Sequence, residues 1–209
     1  DEPMARGVKL PDFPNVRAFV EQDHFPHSNE GLKLYMEANP GKEDLEIAWE
    51  WTHAVNDTVA DIVHGVPPFP SLRKSLEKLN GKADMIVVSA TPVPALTREW
   101  TEHNIDQFVR VIAGQEMGKK AQHLKMAAKG KYADDHILMI GDAPGDMRAA
   151  KANNALFYPI NPGNEEASWQ RFYQEAADKF LNEKYAGEYE ANLIVEFESY
   201  LPEKPPWKA

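Results

Sequence analysis

Between residues 83 and 160, short apolar segments alternate with segments of helical periodicity, and this alternation constrains the fold more than any other feature. The apolar segments are continuous and short, which is typical of strands that are buried on both faces. The pattern predicts strands over 83–89, 108–113, 136–140 and 155–160, and helices over 71–79, 94–103, 120–129 and 144–153. Strands that alternate with helices predict an α/β fold with a doubly wound, Rossmann-like parallel sheet.

The sequence before this region has a helical pattern. Apolar residues recur at helical spacing through 29–38 and 43–64, and the glycine and prolines of 65–68 end the second helix. Residues 1–28 are rich in proline and charge and show no clear periodicity. Two further helices are predicted after the last strand. We therefore predict a helical region over 1–64, an α/β core over 65–201 and a tail over 202–209.

Composition excludes several classes of function. The formal net charge of −10 disfavours nucleic acid as a partner, because phosphate backbones are bound by clustered Lys and Arg. The absence of cysteine excludes disulfides and thiol nucleophiles, and it leaves any metal to oxygen or imidazole ligands. No apolar run approaches the length of a membrane span and no signal-peptide pattern is present, so we expect a cytoplasmic protein without membrane contact.

Polar residues follow three of the predicted strands at the point where each strand ends. Ser89 and Ala90 follow the first strand, Lys120 begins the helix after the second, and Asp142 follows the third, with Asp146 one helical turn later. Ligands of open parallel sheets bind at the carboxyl ends of the strands. A hydroxyl, an ammonium and two carboxylates are therefore expected at one edge, and the two carboxylates indicate a metal ion.

Each of these residues also has a purely structural explanation. Asp142 could cap the following helix, and Asp146 could interact with its dipole from the first turn. Ser89 could be a simple strand end, and Lys120 could belong to a solvated helix start. The segment 114–120 mimics a phosphate-binding P-loop, but its spacing is one residue short and it lacks the final Ser or Thr. The conjunction of three such patterns in a fixed order favours a functional site.

The three patterns resemble the haloacid dehalogenase (HAD) superfamily of phosphohydrolases. The run MIVVSAT, with Ser89, resembles the second motif of that superfamily, and Lys120 at a helix start resembles the third. The run GDAPGD, with Asp142 and Asp146, resembles the fourth. The resemblance covers about residues 65–160 in the right order. It implies a HAD-like fold with a small helical cap near the N-terminus, and Mg²⁺-dependent hydrolysis of a small phosphorylated metabolite.

The resemblance also implies a role for each residue. Ser89 and Ala90 would bind oxygens of the phosphoryl group, through the serine hydroxyl and through backbone N–H groups. Lys120 would offset charge on the phosphoryl group and on the attacking carboxylate, which makes it the catalytic cation. Asp142 and Asp146 would supply carboxylate oxygens to Mg²⁺.

The first motif of the superfamily, DxDx[TV], does not occur in the sequence. That motif supplies the aspartate nucleophile and a second aspartate that acts as general acid and base. A weak candidate is NVRAFVEQDHF, in which Glu21 and Asp23 follow a partly apolar run that fits a helix face equally well. We expect instead that the first strand and its two aspartates precede Asp1. A third possibility is a protein that keeps the pocket and has lost the chemistry.

Two alternatives to a phosphohydrolase follow. The first is a non-catalytic HAD-like protein that binds a phosphorylated ligand or a partner protein. The second is a dehalogenase, which shares the fold and needs no magnesium. The presence of both Asp142 and Asp146 disfavours a dehalogenase, because two carboxylates at this position are typical of a cation site.

Overall fold

The computed structural model describes residues 11–201, and the predicted tail over 202–209 lies outside the described residues. The chain divides into two compact units after His64. Within residues 11–201, no helix combines the length and the apolar character needed to cross a membrane.

The first unit consists of three helices whose apolar faces meet. Phe19, Leu32 and Leu45, one from each helix, are buried in a common cluster. The Ser28 hydroxyl caps the second helix, since its Oγ accepts the Gly31 N–H at 3.2 Å. The helices are α1 (Pro14–Glu21), α2 (Asn29–Ala38) and α3 (Glu43–Ile62). Both helices that the periodicity predicts for this region are therefore confirmed.

The helix α1 corrects one interpretation of the sequence. Residues 14–21 are helical, so Glu21 is the last residue of a helix and Asp23 follows it in the first unit. Val16 and Phe19 pack in the cluster of the first unit, as expected for one face of a helix. The strand interpretation of this segment is wrong, because its apolar residues are spaced for burial on a helix.

The second unit alternates strands with helices. Its strands are β1 (Ile86–Val88), β2 (Val111–Ala113), β3 (Leu138–Gly141) and β4 (Leu156–Pro159). Its helices are α4 (Leu72–Leu79), α5 (Val93–Glu102), α6 (Lys120–Ala128), α7 (Pro144–Lys151), α8 (Glu165–Arg171), α9 (Ala177–Leu181) and α10 (Glu188–Ser199), with a π-helical turn at Phe172–Ala176. β1 and β2 are shorter than predicted: their ladder begins with Ile86 and Val111, and the preceding Asp84 and Arg110 form an exposed ion pair.

The strands form two parallel pairs. Ile86 of β1 is in register with Val111 of β2, and Leu138 of β3 is in register with Leu156 of β4. The predicted α/β fold with parallel strands is confirmed. Within the described part of the chain no ladder joins β1 to β3, so the sheet consists of two separate halves.

Helix α6 connects the two strand pairs through apolar packing. Its residues Leu124 and Ala128 lie in one buried cluster with Met139 of β3, and Val88 of β1 packs against the same cluster. Phe197 of α10 is buried in the same cluster. The buried face of α6 therefore lies against both halves of the sheet, and the polar start of α6 lies beside their carboxyl ends.

An ion pair ties α8 to α10 and predicts part of the pH dependence of stability. Arg171 donates from Nη1 and Nη2 to the two carboxylate oxygens of Glu196 at 2.6 and 3.0 Å. These hydrogen bonds from Arg171 hold the pKa of Glu196 below its usual value of 4.5, although partial burial acts in the opposite direction. A lowered pKa in the folded state means that the stabilisation is present above about pH 4.5 and is lost as the pH falls further.

We therefore expect Glu196→Gln to lower the free energy of unfolding by about 1 kcal/mol at pH 7 and by less at pH 3. Denaturant unfolding at the two pH values measures this. The matched control is Glu198→Gln on the exposed side of the same helix, which should change stability little at either pH. Equal losses for Glu196→Gln at both pH values would contradict a role of its charge.

Candidate active site

Ser89 lies at the carboxyl end of β1. Its backbone N–H donates to the Ala113 carbonyl at 2.9 Å, which continues the ladder between β1 and β2 by one residue. Its hydroxyl oxygen accepts the Thr91 N–H at 3.1 Å, so the side chain is held at the start of the loop. Ala90 is exposed beside it. Among residues 11–201 the hydroxyl hydrogen of Ser89 has no acceptor, so it can donate to a ligand at this edge.

The loops after β1 and β2 contact each other closely. The Gln115 N–H donates to the Thr91 carbonyl at 3.2 Å, and the Val93 N–H donates to Glu116 Oε2 at 3.1 Å. Gly114 allows this approach, since a Cβ at that position would lie 2.6 Å from the Thr91 carbonyl oxygen. The two loops therefore form one hydrogen-bonded rim that leads from Ser89 to the start of α6.

Lys120, the first residue of α6, forms an ion pair with Asp146 in the first turn of α7. Nζ of Lys120 lies 2.5 Å from Oδ1 of Asp146. Asp146 is 1% exposed, and its second oxygen, Oδ2, accepts the Ala143 N–H at 3.2 Å. A buried carboxylate is costly unless it is paired and hydrogen-bonded, and Lys120 and Ala143 together meet that requirement.

Gly141 makes room for this buried carboxylate. A Cβ at Gly141 would lie 2.4 Å from both Cβ and Oδ2 of Asp146, which is closer than nonbonded atoms can come. Asp142, the next residue, is exposed at the carboxyl end of β3. The helix cap of α7 is Ala143, so Asp142 does not act as the cap. Asp142 is therefore the more accessible of the two carboxylates.

The structure brings two of the predicted site residues into contact. Lys120 and Asp146 are in direct contact, although 26 positions separate them in the sequence. Ser89 and Asp142 lie at the carboxyl ends of β1 and β3. Glu21, like Asp23, belongs to the first unit and stands at no strand end.

Sequence reasoning missed His123, which lies one turn after Lys120 on α6. It is buried, and neither ring nitrogen has a hydrogen-bond partner among the described residues. The signal in the sequence was a polar residue beside Leu124 on the apolar face of a helix. Such a residue is easily taken for part of the core.

The donor set at this edge fits a magnesium ion. Within residues 11–201 no three His, Asp or Glu side chains are clustered as a complete metal cage. Magnesium does not require one, because it usually keeps several waters and takes one or two carboxylates together with substrate phosphate. Asp142 offers an accessible carboxylate, whereas Asp146 has Lys120 on one of its oxygens. Asp142 is therefore the more accessible of the two carboxylates that could hold a hydrated Mg²⁺ ion.

Comparisons with known proteins give a match to one family model and a similarity to one solved structure. The sequence matches the family model described as haloacid dehalogenase-like hydrolase over residues 21–158. Among solved structures, the chain is similar to one described as "Crystal structure of putative beta-phosphoglucomutase from Thermotoga maritima". That match has 18% sequence identity and a TM-score of 0.43, and it covers 74% of this chain and 73% of the other. No curated protein matches the sequence.

Proposed function

This chain belongs to the haloacid dehalogenase-like hydrolase family, and from that premise we propose that it hydrolyses the phosphate ester of a small metabolite in a Mg²⁺-dependent reaction. The observation that carries the proposal is the contact of Lys120 with Asp146. This contact brings together the starts of two helices. The start of α6 offers the Lys120 ammonium to a phosphoryl group, and the start of α7 offers carboxylates to a metal. A phosphoryl group and a cation are expected together at such an edge.

We assign a role to each residue of this edge. Ser89 would donate its hydroxyl hydrogen to a phosphoryl oxygen, and the N–H of Ala90 would add a second donor. Lys120 would neutralise negative charge that is shared by the phosphoryl group and the nucleophile. Asp142 and Asp146 would hold Mg²⁺, which supplies further neutralisation of phosphoryl charge when it is bound.

The attacking carboxylate is not among the described residues of this edge, and the divided sheet supports a proposal for its position. β1 and β3 each pair on one side only within the described part of the chain, although Val88 and Met139 share one apolar cluster. A single parallel strand between β1 and β3 would satisfy the backbone groups of both. We propose that a segment preceding Asp1 supplies this strand and that its carboxyl end carries the aspartate nucleophile.

We assign substrate selection to the helical unit. As a cap, its helices would exclude water from the reaction and contact the leaving group of the ester. A chimaera that carries the helical unit of another HAD-like hydrolase should keep Mg²⁺-dependent activity and change its preference among phosphate esters. An unchanged preference would contradict the assignment.

The experiment that tests the function is a phosphatase assay with p-nitrophenyl phosphate on the protein expressed from its native gene. We expect turnover with Mg²⁺ and its loss with EDTA, restored by excess Mg²⁺. Ser89→Ala should lower kcat/KM by about 10- to 100-fold, because one hydrogen bond to a charged oxygen is lost. The control Ser199→Ala removes an exposed hydroxyl on α10 and should have no effect.

A second candidate function is phosphate binding without hydrolysis. The observation that favours it is the engagement of both Asp146 oxygens, by Lys120 and by the Ala143 N–H. Calorimetry that detects binding of a phosphorylated ligand, together with an absence of turnover with and without Mg²⁺, would support this candidate and overturn the hydrolase. Halide release that is insensitive to EDTA would instead indicate a dehalogenase.

A further inference from the structure

His123 is a buried polar side chain whose hydrogen-bonding capacity is unused. The residue is 3% exposed, and neither Nδ1 nor Nε2 has a partner within residues 11–201. Buried polar atoms without partners destabilise a protein, so they are rare in folded proteins. The arrangement of atoms around the ring indicates what the unused nitrogens can bind.

The ring of His123 is directed toward the N-terminus of α6. Side chains on a helix lean toward its N-terminus, and His123 is the fourth residue of α6. The fourth helical residue often packs against an apolar side chain just before the helix cap. Here the cap is Lys119 and the preceding residue is Gly118. The residue at the position of that apolar side chain is therefore a glycine, which presents backbone atoms to the imidazole.

Two polar atoms border the space that a side chain at Gly118 would fill. A Cβ at that position would lie 2.7 Å from Gln122 Oε1 and 3.7 Å from His123 Nε2. The same Gln122 oxygen accepts the Lys119 N–H at 3.0 Å. A ligand oxygen that took the place of Gln122 Oε1 as the acceptor of the Lys119 N–H would therefore lie close to the imidazole. Gln122 is exposed, so its side chain can leave toward solvent.

The start of α6 offers further donors to such an oxygen. Within the described part of the chain, the N–H groups of Lys120 and Ala121 have no acceptor. Free N–H groups at the start of a nine-residue helix bind oxyanions, and the positive end of the helix dipole strengthens the binding. Lys119 adds a positive charge at the same place, whereas the ammonium of Lys120 is paired with Asp146. Donors and charge thus favour an oxyanion beside His123.

We propose that His123 is a ligand-binding residue for the phosphoryl group of the substrate. An oxygen of the phosphoryl group takes the place of Gln122 Oε1 on the Lys119 N–H and accepts a hydrogen bond from the ring N–H of His123. The proposal rests on the proposed function, since it assigns a further contact to the same phosphoryl site. It explains why a polar ring stands at a helix position that usually holds an apolar side chain.

The test is a titration of the native protein with inorganic phosphate, followed by ¹⁵N NMR of the histidine rings and by calorimetry. We expect phosphate to shift the ring signals of His123 and not those of His136, which lies in the turn before β3 with carboxylate partners. His123→Phe should weaken phosphate binding about tenfold or more. The control His136→Asn should leave phosphate affinity unchanged.

Thermal unfolding separates a binding role from a structural one. Because His123→Phe replaces two unpaired polar atoms with an apolar ring, it should leave the Tm unchanged or raise it. Weaker phosphate binding without a lower Tm therefore supports the proposal. Equal phosphate affinity of the wild type and His123→Phe, with weaker binding by Ser89→Ala, would overturn the role of His123 and leave the proposed function intact. No phosphate binding by the wild type would overturn both.

Discussion

Asp142→Asn is expected to lower Mg²⁺-dependent phosphatase activity about a thousandfold or more while the protein stays folded. Asp142 is exposed at the carboxyl end of β3 and does not cap α7, so its removal disturbs little of the structure. It is also the more accessible carboxylate for a metal. Loss of a charged metal ligand removes several kcal/mol of charge stabilisation, which corresponds to about three orders of magnitude in rate.

The measurement is kcat/KM for p-nitrophenyl phosphate as a function of Mg²⁺ concentration, with circular dichroism to verify folding. The matched control is Glu166→Gln, which removes an exposed first-turn carboxylate of α8 in the same unit. It should keep full activity, because it changes net charge and a helix dipole interaction but no metal ligand. Near-normal turnover in both Asp142→Asn and Asp146→Asn would show that the metal assignment is wrong.

Gly141→Ala is expected to lower the free energy of unfolding by about 3 kcal/mol, and the Tm by about 10 °C. The added Cβ would lie 2.4 Å from Asp146, whose side chain cannot move away freely. Asp146 is buried and fixed by hydrogen bonds to Lys120 and to the Ala143 N–H. The substitution must therefore displace a buried ion pair or the end of β3.

Gly145→Ala provides the matched control for this substitution. Gly145 lies in the same turn of α7, and a Cβ there would meet only the end of the Arg148 side chain, at 3.8 Å. Because alanine is the better helix former, Gly145→Ala should raise stability by about 0.5–1 kcal/mol. Thermal unfolding of both variants measures the difference. Equal Tm values for the two variants would refute the close packing of Gly141 against Asp146.

The local pattern of the sequence was sufficient to predict most of the helices and strands and the α/β class of the fold. Apolar periodicity distinguishes helices from strands because burial repeats every 3.6 residues in a helix and every two in a strand. It therefore placed α2, α3 and the alternating elements of the second unit. It also placed Ser89, Lys120, Asp142 and Asp146 beside strand ends. The same reasoning left 14–21 ambiguous, since Val16, Phe19 and Val20 suit either element, and only packing against Leu32 and Leu45 selects the helix.

Interactions between distant residues were decided by the tertiary structure alone. Lys120 and Asp146 are 26 positions apart, and their pairing depends on how α6 and α7 pack rather than on any local pattern. The requirement for glycine at 141 follows from that buried carboxylate, and the lack of a hydrogen-bond partner for the His123 ring among the described residues is visible only in the packed chain. Periodicity reports which face of an element is buried, because burial is a property of each element. It contains no information about distances between elements. The contacts between elements, the buried polar atoms without hydrogen-bond partners and the division of the sheet are therefore decided by the tertiary structure.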